Sequence, residues 1–338
     1  MARRKFWGWG DEDEGLSTDE VNQLGQTFAR RFGSGEELLV RKPPTVDELE
    51  LEAPRLTPPG TLEPLCSDDP YDRAAHTYGK GYRDLARAWR RDFRHAPDLV
   101  AFPRDEHDVL SILEWCSDAG AAAIPYGGGS SVVGGVEADV GDGYRGAVSV
   151  DMRNISGVLE VEPESRCARI AGGTYGPALE AQLRPHGLTL RHFPQSFEQS
   201  TLGGWIATRA GGHFATLHTH IDDFVESVRV VTPRGLLETR RLPASGAGPA
   251  PERLFLGSEG TLGVITEAWM RVQPRPRHRA GASVYFASFE AAVTATREVA
   301  QSGLNPSNCR LLGHDEALLS GSGDGSHAIL VLGFESGD

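Results

Sequence analysis

One eleven-residue stretch, Pro125-Tyr126-Gly127-Gly128-Gly129-Ser130-Ser131-Val132-Val133-Gly134-Gly135, carries the clearest chemical signal in the chain. Glycines lack a Cβ and reach positive φ, so three in a row can aim their N–H groups at one point, and the Ser130 and Ser131 hydroxyls add donors. Such a turn is a cradle for an anion, phosphate first. The two common phosphate fingerprints do not fit. Val132 stands where the dinucleotide motif needs its third glycine, and no Lys-Ser/Thr pair follows Gly134. A flexible turn without ligand is the competing reading, so the surroundings must decide. Two more stretches mix glycine with hydroxyls: Ser200-Thr201-Leu202-Gly203-Gly204-Trp205 and Gly257-Ser258-Glu259-Gly260-Thr261-Leu262-Gly263. A single ligand touched by three such loops would be long.

Other reactive residue types give weaker signals. His218 and His220 alternate before a strand, but spacing supplies no third ligand, so no metal site is expected. His213 follows two glycines and reads as solvent-facing. Cys66, Cys116, Cys167 and Cys309 lie far apart without a CxxC pair, which argues against structural zinc and a disulfide scaffold, and for a reducing, cytoplasmic setting.

The elements that must position these loops follow from periodicity. Residues 99–102 read as a strand, Asp105 as a helix cap, and Val109, Ile112, Leu113 and Cys116 as one face of a helix. Residues 121–124 then form a second strand. This strand–helix–strand unit puts the glycine turn at the carboxyl end of a strand, where ligands of open α/β sheets bind. Strands follow at 147–151, 157–162 and 167–171, a helix opens near Tyr175, and residues 225–231 and 236–239 form a hairpin around Thr232-Pro233-Arg234-Gly235. The glycines of residues 200–205 fall at a helix start, and residues 264–272 form an apolar strand after the third loop. Residues 1–94 are polar and proline-punctuated and read as a helical extension, with an amphipathic helix over 78–93. Phe6, Trp7 and Trp9 beside Arg3, Arg4 and Lys5 fit docking of that extension onto its own domain, with peripheral membrane contact as the second reading.

At 338 residues and 39% apolar composition the chain can bury a sizeable core in two domains, or in one with extensions. A net charge of -13 repels nucleic acid, so an anionic ligand must be held by local donors. Neither a signal-peptide core nor a membrane-spanning run is present in these 338 residues.

Taken together, the strings Pro97-Asp98-Leu99-Val100, residues 125–135, residues 200–205, Thr208-Arg209-Ala210, residues 231–235 and residues 257–268 resemble the flavoprotein family that includes vanillyl-alcohol oxidase and para-cresol methylhydroxylase, most closely its alkyldihydroxyacetonephosphate synthase branch. Trp7-Gly8-Trp9-Gly10 also resembles bacterial members of that branch. The resemblance implies an α+β fold: a two-subdomain, PCMH-type FAD-binding domain over 95–276, divided near 180, followed by the beginning of a cap or substrate domain over 277–338. It implies non-covalent FAD, with the pyrophosphate held by Pro125, Tyr126, Gly127, Gly128, Gly129, Ser130 and Ser131. Further FAD contacts are implied at Gln195, Ser196, Phe197, Glu198, Gln199, Ser200 and Thr201, and at Thr208, Arg209, Ala210 and Gly211. A last group comprises Glu259, Gly260, Thr261, Leu262, Gly263, Val264 and Ile265.

Three departures bear on flavin tuning. Gln195 stands where the synthases usually have aspartate, Gly211 where they often have serine, and Leu217-His218-Thr219-His220 replaces a segment with tyrosine and glycine. The resemblance implies exchange of the acyl group of acyl-dihydroxyacetone phosphate for a fatty alcohol without net redox. The alternative is oxidation of a D-2-hydroxyacid such as lactate or glycolate, and a flavin-binding protein without turnover is a third class. It also places a needed arginine at Arg310, gripping the substrate's anionic end, against a surface arginine pairing Asp315 or Glu316. In those synthases an acid–base tyrosine and a histidine cluster lie beyond the point matching Asp338, and Tyr285 falls at the wrong place for the former. The 338 residues alone are therefore expected to hold FAD without turning over, and to aggregate through unpaired cap strands. A homodimer is left open.

Overall fold

The computed structural model describes residues 3–33, 41–218, 220–242 and 245–337, so Thr219 of the His218–His220 segment lies outside the described residues. The chain divides into two compact units, Met1–Asp151 and Met152–Asp338. The first unit includes the N-terminal extension. The division falls inside the stretch 95–276 that the resemblance treats as one FAD-binding domain.

Unit one runs α1 (Thr18–Phe32), β1 (Cys66–Ser67), α2 (Pro70–Ala75), α3 (Tyr82–Trp89), β2 (Leu99–Ala101), α4 (Glu106–Ala119), β3 (Ala122–Tyr126) and β4 (Ala147–Asp151). Its sheet has the order β1-β2-β4-β3, with β2 and β3 each parallel to β4. The expected strand–helix–strand unit forms, but β4 lies between its two strands. All five residues of β4 are buried, which suits the centre of a parallel sheet covered on both faces. Helix α4 starts where the Asp105 side chain accepts the Asp108 N–H at 2.9 Å, and stops at Gly120 with φ of 64°. Its Val109, Ile112 and Cys116 are buried. The helix expected over 78–93 is confined to α3, because Gly79 must approach the chain at Ser131, where a Cβ would lie 2.0 Å from the carbonyl oxygen. Phe6 is buried edge-on against Tyr71 and Phe93, and Trp7 packs edge-on against Trp89 at 5.3 Å, so the aromatic start of the chain docks on its own unit.

Unit two comprises β5 (Val158–Glu162), β6 (Cys167–Ala171), α5 (Gly176–Leu183), β7 (Leu188–Thr189), α6 (Leu202–Thr208), α7 (Ala215–His218), β8 (Val225–Thr232), β9 (Gly235–Glu238), α8 (Glu252–Phe255), β10 (Val264–Arg271), β11 (Gln273–Pro274), β12 (His278–Phe286), α9 (Phe289–Gln301), β13 (Asn308–Leu312), α10 (His314–Leu319) and β14 (Ala328–Ser336). An antiparallel sheet β5-β6-β10-β8-β9 takes strands from both sides of residue 180. Its core joins Ile170, Leu179, Leu183, Leu202, Trp205, Ile206, Val230 and Met270. A second sheet, β12-β14-β13, has β14 at its centre with Ala328, Ile329 and Leu330 buried, whereas β12 is exposed along nearly its whole length. No helix of the described residues is long and apolar enough to cross a membrane.

Candidate functional site

The first loop leaves β3 in unit one. Pro125 and Tyr126 close the strand, and Gly129 turns the chain with φ of 68°. A Cβ at Gly129 would sit 1.9 Å from the Tyr126 hydroxyl oxygen. That hydroxyl donates to the Ala75 carbonyl at 3.0 Å, and the ring lies 4.1 Å from that of His76, whose Nε2 is 2.8 Å from Asp151 Oδ2. The phenol is thus locked beneath the turn. Ser131 Oγ accepts from the Gly135 N–H at 3.1 Å and its carbonyl accepts from the Lys80 N–H at 2.6 Å. The N–H groups of Gly128, Gly129 and Ser130 find no acceptor among the described residues. Consecutive amides left free on a fixed turn are the donor set a diphosphate requires.

The second and third loops meet in unit two around α6. Gln195 and Glu198 are exposed, and Phe197, Glu198 and Gln199 form one 3-10 turn after Ser196. Ser200 Oγ accepts from Trp205 Nε1 at 2.6 Å and donates to the Ser196 carbonyl at 2.7 Å. Thr201 opens α6 with its Oγ1 buried and without a partner. A buried hydroxyl left unpaired is costly, so this atom fits a ligand group. Thr208 closes the helix, Arg209 leaves it in the left-handed region and pairs with Asp222 at 2.7 Å, Ala210 N–H returns to the Trp205 carbonyl, and Gly211 bridges His220. Glu259 adopts φ of 53° because its N–H must reach the Ala207 carbonyl at 2.9 Å. Gly260 is also left-handed, Thr261 bonds the Ser258 carbonyl, Leu262 is exposed, and a Cβ on Gly263 would meet the Val231 oxygen at 2.6 Å. Val264 and Ile265 are buried in β10, so their share in a site comes through the backbone.

Sequence reading missed a cleft of about 830 Å³ in unit two, because its walls come from distant segments. Phe193, Phe197 and Phe214 line it, with Arg184, Arg275 and Arg279 among its polar groups, and His213 and Asn308 on its wall. Arg191 lies against the Phe214 ring and is gripped by both carboxylate oxygens of Glu335. Arg310 is half exposed on β13, its guanidinium 3.7 Å from Glu316. Asn308, two residues earlier, shares its face of the strand.

The histidines separate by environment. His218 is depressed, chiefly by burial and then by Arg191, with Glu335 opposing. Neither His218 nor His220 joins a metal-competent group among the described residues. The groups that form are His95, Glu137 and Asp139, and Asp105, His107 and Asp108, and Glu137 is already gripped by Arg87 at 2.5 and 2.9 Å. His192 lies between Trp205 and Phe224 with its Nε2 unpartnered, and burial, then His220, pushes its pKa down to about 4. The folded state therefore refuses a proton that the unfolded chain takes up near pH 6.5. Stability is full above that pH and declines as pH falls toward 4, by at most about 3 kcal/mol. Urea midpoints at pH 7 and pH 4.5 should show a drop that His192→Phe reduces; an equal drop in both proteins would refute the assignment.

Comparison with known proteins follows the same loops. The FAD binding domain family matches residues 97–240, and the C-terminal domain of FAD linked oxidases matches residues 275–338. Alkyldihydroxyacetonephosphate synthase of Dictyostelium discoideum is 36% identical over 94% of this chain and 56% of its own length. Mitochondrial D-lactate dehydrogenase [cytochrome] of Arabidopsis thaliana is 34% identical over 64% of this chain and 37% of its own. A solved structure of an alkyldihydroxyacetonephosphate synthase matches with a TM-score of 0.86 at 31% identity, covering 98% of this chain and 70% of that one. The chain spans 56% of the Dictyostelium discoideum synthase, 55% of that of Trypanosoma brucei brucei and 41% of that of Caenorhabditis elegans. The free amides of the glycine turn, the unpaired Thr201 hydroxyl and these matches lead to one conclusion: the chain belongs to the FAD-binding flavoprotein family that contains the alkyldihydroxyacetonephosphate synthases, and its cofactor is FAD.

Proposed function

We propose that this chain is the FAD-binding body of a synthase-type enzyme that converts acyl-dihydroxyacetone phosphate and a fatty alcohol into alkyl-dihydroxyacetone phosphate and a fatty acid. The cleft carries this reading. Its three phenylalanines offer an apolar bed for an alkyl chain. Arg184 lies on the same wall with Arg275, which faces Glu180 at 3.5 Å, and Arg279, which faces Glu335 at 3.3 Å, so a phosphate would draw these guanidinium groups from their carboxylates. A small D-2-hydroxyacid has no chain to lay on those rings, and similarity over 94% of the chain, against 64% for the dehydrogenase, supports the same choice. When bound, FAD supplies an electron-accepting ring. The chain's own residues hold the substrate and limit water.

In this reading Arg310 turns from Glu316 to the anionic end of the substrate, and the flavin is held without a covalent link, since Gly129 and Ser130 put no histidine or cysteine in the turn. Acid precipitation should leave the flavin in the supernatant. The FAD-loaded chain is then titrated with palmitoyl-dihydroxyacetone phosphate or D-lactate while flavin absorbance is followed. A saturable shift with the lipid and none with D-lactate supports the proposal, and Arg310→Ala should raise the half-saturating lipid concentration about ten-fold with FAD content unchanged. Bleaching by D-lactate would replace this reading with the dehydrogenase one.

A further inference from the structure

The glycine turn contains no cation of its own: residues 121–140 include neither lysine nor arginine, in a chain of net charge -13. We propose that Arg4, 124 residues away in sequence, is a cofactor-binding residue that supplies the missing charge to the FAD diphosphate. Its Nη1 donates to the Gly128 carbonyl at 3.4 Å, which puts a guanidinium against the middle of the three glycines.

The backbone there is held for that purpose. Arg4 bridges Asp11, Lys5 N–H reaches the Gly10 carbonyl at 3.1 Å, and Glu12 N–H reaches the Arg3 carbonyl at 2.7 Å, closing a tight turn. Buried Phe6 anchors the turn, and the Tyr71 hydroxyl donates to the Arg4 carbonyl at 2.7 Å. Lys80 reinforces the same edge: its N–H holds the Ser131 carbonyl and its Nζ donates to the Lys5 carbonyl at 3.0 Å. Burial, then the charge of Arg4, pushes Lys80 down to about 8, with Asp84 opposing. Arg4 and Lys80 thus stand at the rim of a turn whose Gly128, Gly129 and Ser130 amides are free, a combination of charge and N–H donors suited to a diphosphate. Arg3 is different, stacking on the Tyr71 ring at 3.5 Å and facing Glu12 at 3.9 Å.

The test uses the full chain stripped of flavin, with FAD affinity read by quenching of flavin fluorescence at low and high salt. Arg4→Gln should weaken FAD binding about ten-fold and flatten its salt dependence, because a charge-assisted contact to phosphate is lost. Arg4→Lys should recover part of the affinity, and Arg3→Gln should bind as the parent does. Unchanged affinity in Arg4→Gln would overturn the proposal. So would failure of Arg4→Lys to recover any affinity, or an equal loss in Arg3→Gln, either of which would assign the turn a packing role only.

Discussion

Gly129→Ala is expected to empty the cradle, lowering FAD affinity by about a hundred-fold or more. The new methyl would demand a left-handed alanine at φ of 68°, costing about 1–2 kcal/mol, and would overlap Tyr126, costing about 1–3 kcal/mol more. The phenol cannot swing aside. Its hydroxyl is held by the Ala75 carbonyl and its ring by His76, which is itself fixed by Asp151. Removing the hydroxyl would not relieve the clash either, since Tyr126 Cζ stands 2.4 Å from the point the alanine methyl would occupy. Flavin content of the purified variant, alone and combined with Tyr126→Phe, is the measurement. A Gly129→Ala protein that retains stoichiometric FAD would show that the turn can relax.

A larger effect on folding is expected from Gly173→Ala. A Cβ there would lie 1.8 Å from the Met152 oxygen and 2.8 Å from the Ile155 oxygen, both backbone atoms without a rotamer to change. The surrounding chain cannot retreat, because Gly173 N–H holds Ile155 O, Gly172 N–H holds Thr266 O and Gly203 N–H holds Gly172 O. The expected loss is about 3 kcal/mol or more, a large part of the roughly 5–15 kcal/mol that stabilises a domain. Soluble yield and urea midpoint should both collapse, whereas Gly246→Ala, where nothing lies within 4 Å, should be near neutral. A parental midpoint for Gly173→Ala would contradict the geometry.

What the sequence made legible was local. Strands 147–151 and 167–171 match β4 and β6, Asp105 caps α4, Thr201 opens α6, and the turn at 232–235 joins β8 to β9, since apolar runs and capping side chains act within a few residues. The hidden parts depend on partners far along the chain. Placing β4 between β2 and β3 is a matter of strand pairing, and shortening the expected helix to α3 follows from the approach of Gly79 to Ser131. Arg4 against Gly128, the cleft and the burial of His192 have no local signature for the same reason.

The pairing of β10 has a consequence for synthesis. This strand lies between β6 and β8, so the hairpin β5–β6 and the hairpin β8–β9 share no strand pairing and enter one sheet through it. On a ribosome the first hairpin is complete at Ala171, yet β10 begins only at Val264, a delay on the order of ten seconds at ordinary elongation rates. The first hairpin waits through that whole interval and the second from Glu238 onward, so the apolar faces of both stay without their central strand until residue 271 has been made.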